Sequence, residues 1–575
     1  MLLSRNRLCL LVALIVISGI LYNAIDRYFT TGLHFSFATG GERNLAHVLS
    51  PQHHINRAPT TIRHVWKITT GFRAPDGVRK KVYLINGQFP GPWIEARSGD
   101  DIEVDIYNWL TDEGVAIHWH GLWMRGANEM DGAVGLTQSP TGPSKSFTYK
   151  FHIAEAQSGS FWYHSHSELQ RADGLYGGIV IHKPASSGVP SENEVHNYDQ
   201  DVGLLIGDWY HRPSHEVQVY YEDFANAGNE PAPDSLLING QGYFNCSLAV
   251  PARPLVCQKI MIPQLNLNIN NTRLRLINTG AIVGFTISIA GYDMHLIEVD
   301  GGGEVSGGLG SSSIGVIYPG ERVDIILGPN LHFDKSKMVM SIELDAENLR
   351  FRNFALTEIQ HFPVTSLSDT GTRYGGPSMP TEALAPLDLA RVAGPPRVTT
   401  GMPKTPSQTL VLYTKVEILG EFGNRPRGFI NQSTWEAERL EKMPLLALDK
   451  TAWGNAFVPF VKTGEDRWVD IVLNNFDDRG HPFHLHGNDF FVLSVHEAGI
   501  GGYDEAYNPF DTARPPAGGP LNTMNPVRKD TIFIPAMGYA VLRFKADNEG
   551  LWFFHCHILW HQAVGMAMAL HVGSD

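Results

Sequence analysis

The chain has 575 residues, length for roughly three or four domains at about 100–200 residues each. Its formal net charge of −14 argues against a nucleic-acid surface, which usually carries a basic stripe. The 58 glycines and 35 prolines follow no collagen period and form no polar low-complexity tract; they fit the many turns of an all-β protein built from short strands.

At the N-terminus, Arg5 and Arg7 precede an apolar run from Leu8 to Tyr22. That run is near the upper limit of a signal-peptide core and short of the ~20 residues that span a bilayer comfortably. No clear small-x-small cleavage site follows, so residues 1–25 read either as a cleaved signal peptide or as an N-terminal membrane anchor. Both send the body of the protein into the secretory pathway, secreted or held on a lumenal or extracellular face. Sequons at Asn245, Asn270 and Asn431 agree with that. No second long apolar run follows.

Residues 24–60 read as a loosely ordered lead-in. Three blocks of short alternating strands come next, at 60–190, 198–365 and 406–575, with a Pro/Gly/Ser/Thr-rich linker at 366–405. VYLINGQFPGPWIEA, LRLINTG and RWVDIVLNN typify the three blocks. The first and third echo each other. Each has an early histidine cluster (HWHG at 118–121, HPFHLHG at 481–487) and a late one (HSH at 164–166, HCH at 555–557), and each late cluster follows an aromatic strand. The middle block has the rhythm without the clusters. The simplest account is three similar β-sandwich domains with metal chemistry in the first and last. Of four cysteines, Cys9 lies in the leader, and Cys246 and Cys257 either form one local bridge or stay reduced, a pairing sequence alone does not decide. Cys556 stands alone between two histidines.

Residues i and i+2 of a strand share a face, so each His-x-His string aims two imidazoles one way. Imidazole is a common ligand for Zn, Cu, Fe and Ni. One such string is unremarkable; four at matched places call for metal. HCHILWHQAVGM supplies Cys556, His561 and Met566, and a thiolate, imidazoles and an axial thioether make a blue-copper site, with His481 the candidate second imidazole. One cysteine among so many histidines argues against structural zinc. If Cys556 faces one side of its strand, His555 and His557 face the other, so one tripeptide can join two metal centres. His118, His120, His164, His166, His484, His486, His555 and His557 remain, enough for three more coppers between the first and third domains.

In this order the four strings resemble the signature of the multicopper oxidases: laccases, ascorbate oxidases and fungal ferroxidases. The resemblance runs from about residue 65 to 573. It implies three consecutive cupredoxin-like Greek-key β-sandwich domains and four copper ions, one type 1, one type 2 and two type 3. Carried over, His481, Cys556 and His561 hold type 1 copper with Met566 axial, and His118 and His484 hold type 2. His120, His164 and His557 hold one type 3 copper; His166, His486 and His555 hold the other. Dioxygen and a small aromatic reductant are the implied partners, with no nucleic acid, and His561 is the point where electrons come in.

The chain departs from relatives in places. Met566 stands where many fungal laccases and ferroxidases have Leu or Phe, and predicts a lower type 1 potential. Ser139 replaces a cysteine, removing a disulfide partner. Leu559 replaces an acid thought to help protonate oxygen intermediates, whereas Asp131 matches the family's other proton-supplying acid. Asp208, in GDWYH, matches the acid that contacts the phenol in laccases and can hold ferrous iron in ferroxidases. A laccase-like oxidase of phenols is therefore the leading expectation, with ferroxidase and ascorbate oxidase as alternatives. A non-enzymatic copper-storage or adhesion protein is the contrasting class; such relatives lose ligands, and this chain keeps the full set.

Overall fold

The computed structural model describes residues 43–186, 188–250, 253–267, 271–306, 310–329, 338–366, 387–389, 392–396, 402–440, 442–453, 456–464, 466–499 and 502–574. The leader, Cys9 and Asn270 lie outside the described residues. Among the described residues, no helix is long and apolar enough to cross a membrane.

Alternation dictates the strands. In Asp101–Asn108, Ile102, Val104 and Ile106 are buried while Asp101, Glu103 and Asp105 face outward. Each such aliphatic side chain contributes about 1.5–3 kcal/mol when fully buried. In the first domain, Thr61–Arg73, Lys80–Ile85, Asp101–Asn108 and Ser146–His152 form one four-stranded sheet. Ile94–Arg97, Ile117–His120, Gly159–Ser165 and Tyr176–His182 form the other. Trp66, Trp119, Tyr149 and Tyr163 are buried in the core of this domain.

The middle domain packs an eight-stranded sheet around Gln200–Trp209, Thr272–Asn278 and Arg322–Pro329 with a six-stranded sheet around Phe285–Ile289 and Val339–Leu344. The third pairs a six-stranded sheet around Trp468–Asn475 and Tyr539–Lys545 with a five-stranded sheet containing His481–Leu485 and Gly550–Cys556. The protein is all-β, with three cupredoxin-like domains in sequence.

Two segments are more ordered than composition suggests. In the lead-in, His47–Val48 pairs with the Gln200–Trp209 strand, and Leu45 and Leu49 are buried. Within the Pro/Gly-rich stretch, Leu387–Asp388 adds to Ser313–Ile317 and Ala393 bridges Pro526; the rest of that stretch is mostly outside the described residues. Cys246 and Cys257 are disulfide-bonded, which decides the pairing left open above. The Asn431 side chain is tied into the third domain: it accepts from the Tyr413 N–H at 2.8 Å and donates to the Val411 carbonyl at 3.1 Å.

The middle domain carries none of the four His-x-His strings but fastens the strands that do. Arg275 forms a two-point pair with Asp201 at 2.7 and 2.8 Å and reaches Ser160, on the strand that carries His164, at 3.2 Å. Asp324 accepts from the Ser160 hydroxyl at 2.6 Å. Arg322 donates to the Ser160 carbonyl at 3.1 Å and forks onto both oxygens of Asp530, at 2.6 and 2.5 Å, in the third domain. All are buried, and removing one partner from such a pair costs about 3–5 kcal/mol because a charge is stranded.

Candidate metal centres

Strand register brings the histidines together. His118 lies opposite His164 across one antiparallel pair, and His484 opposite His555 across another. Each string's second histidine falls on the same face two residues on. The two end domains then meet ring to ring. His118 stacks on His486 and His120 on His484, each with centroids 3.7 Å apart. His166 meets His555 at 5.4 Å and His164 meets His557 at 5.5 Å. All eight are buried. The preceding aromatic residues form the walls: Trp162 lies 4.4 Å from His164, and Phe553 lies 5.0 Å from His555.

Hydrogen bonds fix which nitrogen faces inward. The Nδ1–H groups of His118 and His484 donate to the carbonyls of Asp131 and Asp530, both at 2.8 Å. Those of His164 and His555 donate to the carbonyls of Ser165 and Cys556 at 3.0 and 2.9 Å. A carbonyl only accepts, so Nε2 is left as the lone-pair nitrogen. His120 is reversed: its Nε2 lies 3.1 Å from the Thr531 hydroxyl, and Nδ1 is free. Nε2 of His118, His164 and His484 and Nδ1 of His120 are buried without a hydrogen-bond partner. Unpaired buried nitrogens of this kind cost free energy unless something binds them. Burial, reinforced by neighbouring charge, pushes His120, His164, His486, His555 and His557 well below the usual imidazole range and His166 down to about 3. Neutral imidazole is the form that ligates metal.

Three groups back this centre. Asp131, fully buried, accepts from His486 Nδ1 at 2.8 Å through its carboxylate. Arg171 donates to the His557 carbonyl at 2.9 Å and lies 2.7 Å from that ring's Nδ1. Gly320, at φ +92°, packs against His120 and His557; an added Cβ would sit about 3.0 Å from His557, so a side chain there would press on two rings.

On the other face of the same strand lies a second centre. Cys556 Sγ is 3.7 Å from Nδ1 of both His481 and His561, and those two nitrogens are 3.1 Å apart. All three residues are buried. Each imidazole's Nε2 meets a carboxylate at 2.8 Å, Asp477 for His481 and Glu230 for His561. Burial alone would push the thiol up, but hydrogen bonds from the two histidines bring it to about 7, toward the thiolate that binds metal. Met566 is fully buried; its N–H donates to the His561 carbonyl at 2.9 Å and its carbonyl accepts from the Cys556 N–H at 3.0 Å. His561 sits on the short helix Leu559–Ala563, which starts where the Leu559 N–H donates to the Ala281 carbonyl at 2.8 Å.

Asp208 does not reach the second centre through a direct contact. Its buried carboxylate accepts N–H groups from Ala281, Ile282 and Val283 at 3.0, 2.8 and 2.7 Å, anchoring the loop that supports that helix. The acid beside His561 is Glu230, which also lines a cavity of about 300 Å³ with Tyr220, Phe244, Phe351 and Arg212. Glu230 has no motif in sequence, since it meets His561 only across 331 residues of chain. Asp477 is just four residues before His481, and that spacing was a usable signal.

A thiol with two imidazoles, beside eight clustered imidazoles of which four have a buried nitrogen without a hydrogen-bond partner, is the donor set of a copper redox protein. Comparisons with known proteins agree. The family model described as multicopper oxidase matches residues 67–186, 200–349 and 434–575 in three parts. The chain is 32% identical to Laccase-1 of Cryptococcus neoformans var. grubii, over 90% of this chain and 81% of that protein. It is 29% identical to L-ascorbate oxidase of Cucumis sativus, over 90% of this chain and 89% of that one. The crystal structure of Fet3p, a multicopper oxidase that functions in iron import, superposes with a TM-score of 0.74 at 25% identity, covering 89% of this chain and 90% of that one. The chain belongs to the multicopper oxidase family.

Proposed function

We propose that this chain is a laccase-like oxidase that takes electrons singly from phenolic or aromatic reductants and reduces dioxygen to water. His481, Cys556, His561 and Met566 would hold type 1 copper. His118 and His484 would hold type 2; His120, His164 and His557 one type 3 ion; His166, His486 and His555 the other. Bound copper supplies the one-electron steps, and four such ions match the four electrons dioxygen needs. The chain's own groups orient ligands and handle protons. Asp131, hydrogen-bonded to His486, is the buried acid from which protons reach the oxygen-reducing centre. Asp208 acts through the loop at 281–283 rather than on the reductant. Residues 1–25 would direct the chain into the secretory pathway.

The observation that carries the substrate reading is Glu230, hydrogen-bonded to His561 and facing an aromatic-lined cavity. Its Oε1 is committed to His561 Nε2, which leaves Oε2 to accept a phenol hydrogen as the electron leaves the ring. The test is oxygen uptake by copper-loaded protein with a catechol, ferrous iron and ascorbate compared under one set of conditions. Fast uptake with the catechol supports the reading; preferential uptake with ferrous iron or ascorbate overturns it.

A further inference from the structure

We propose that the cavity in front of Glu230 selects a reductant whose aromatic body carries an anionic group such as a carboxylate. The inference rests on the phenol-oxidising reading and adds the charge of the substrate.

The cavity is lined by three arginines, Arg212, Arg253 and Arg352, and by two acids, Glu230 and Asp234. Both acids already have partners. Glu230 meets His561 at 2.8 Å. Asp234 accepts from the His211 N–H and from Asn353 Nδ2, each at 2.9 Å. The arginines are in the opposite condition. Among the described residues Arg212 and Arg253 form no ion pair; Arg212 is half-buried, its guanidinium 5.1 Å from the Tyr220 ring. Arg352 is largely exposed and only 3.8 Å from Glu358 at its nearest, a weak surface pair. Burial and then the charge of Arg253 lower the pKa of Arg212, with Asp234 and Glu216 opposing, and three arginines line the cavity against two carboxylates that are already hydrogen-bonded.

An anion relieves that repulsion. A guanidinium presents parallel N–H donors whose spacing matches a carboxylate, and such charged bonds are about twice as strong as neutral ones. The chain as a whole is acidic, at −14. Charges farther away than the Debye length of about 8 Å at physiological salt are largely screened, so the local arginines set the field a bound ligand feels. The volume of about 300 Å³ is at the small end for ligand cavities, and suits one ring with a short side chain. A ring against Tyr220 and Phe351 would turn its hydroxyl to Glu230 and its acid to the arginines. The same field disfavours a ferrous ion or a cationic amine.

The test uses copper-loaded protein and three catechols with one ring: 3,4-dihydroxyphenylacetate, 2-(3,4-dihydroxyphenyl)ethanol and 2-(3,4-dihydroxyphenyl)ethylamine. One or two methylenes separate the ring from each polar group, so ease of oxidation barely differs. KM should rise from anion to neutral to cation, with about a tenfold step between the first two, and the step should shrink at high salt. In Arg212→Gln/Arg253→Gln the anion-to-neutral ratio should collapse toward one, with copper content reporting assembly. Equilibrium binding of phenylacetate against 2-phenylethanol, neither a catechol, reads the same preference without turnover. Equal or tighter use of the neutral or cationic catechol would overturn the proposal, as would an unchanged ratio in the double variant. Uptake with ferrous iron but none of the three catechols would instead overturn the phenol reading, and this inference with it.

Discussion

The two candidate metal centres share one strand yet are backed by a different balance of partners. In the eight-histidine centre, four rings donate to backbone carbonyls, those of Asp131, Ser165, Asp530 and Cys556, and one, His486, to the Asp131 carboxylate. In the cysteine centre both imidazoles donate to carboxylates, Asp477 and Glu230. A carbonyl fixes the tautomer and adds no charge. A carboxylate also raises the basicity of the ring and can accept a proton. The first arrangement suits a closed interior between two domains, entered only by a small molecule. The second suits exchange of electrons and protons with a bulky reductant outside, and Glu230 is the acid that fronts a cavity.

The sharpest way to separate the centres is Cys556→Ser. It should abolish the intense visible absorption of a thiolate–copper site and oxygen uptake with every reductant, while copper stays bound by the eight histidines. A visible band that survived would sink the copper assignment of this centre. Next in size is Glu230→Gln, which keeps an acceptor for His561 but cannot take a proton. kcat/KM for a catechol should fall about a hundredfold with copper content intact. A fall confined to copper content would mean that Glu230 only holds the ligand. Smaller again is Asp131→Asn, read as copper retention against a chelator. It should weaken the eight-histidine centre by about tenfold, because His486 loses its charged partner. Loss of copper from the cysteine centre alone would erase the distinction drawn between them.

Much of this was legible in the sequence because strand alternation is a strict rule. Four His-x-His strings at matched positions could only aim paired rings at common faces, and the HCH tripeptide had to divide its side chains between two sides of one strand. What stayed hidden depends on contacts between distant segments. Arg322 of the middle domain grips Asp530 across 208 residues, and no local pattern announces that the domain without the histidine strings holds together the two that carry them. Glu230 lies in the Pro-rich loop GNEPAPD, whose composition says turn and nothing more. Asp208 is the opposite case, visible in its motif but with hidden partners. It sits at the end of the Gln200–Trp209 strand, where an acid reads as solvent-facing, but the neighbouring loop at 281–283 folds over it and takes its carboxylate.

Asp208→Asn therefore gives the smallest catalytic effect and tests Asp208 against Glu230 directly. The amide can present one oxygen where two now accept three N–H groups, and its NH₂ would face a donor. Leaving buried donors unpaired costs about 1–3 kcal/mol, partly offset because a buried carboxylate is itself disfavoured. Burial raises the pKa of Asp208 in the folded chain, with the three N–H groups opposing. A raised carboxyl pKa means that stability is greatest below the unfolded value near 3.8 and is lost as pH rises through the folded value. The Asn variant lacks that loss, so its deficit in thermal midpoint should narrow as pH rises. kcat/KM should change far less than in Glu230→Gln. If instead both variants lose catechol oxidation equally, Asp208 acts on the reductant after all, and the loop that now covers it must open when the reductant binds.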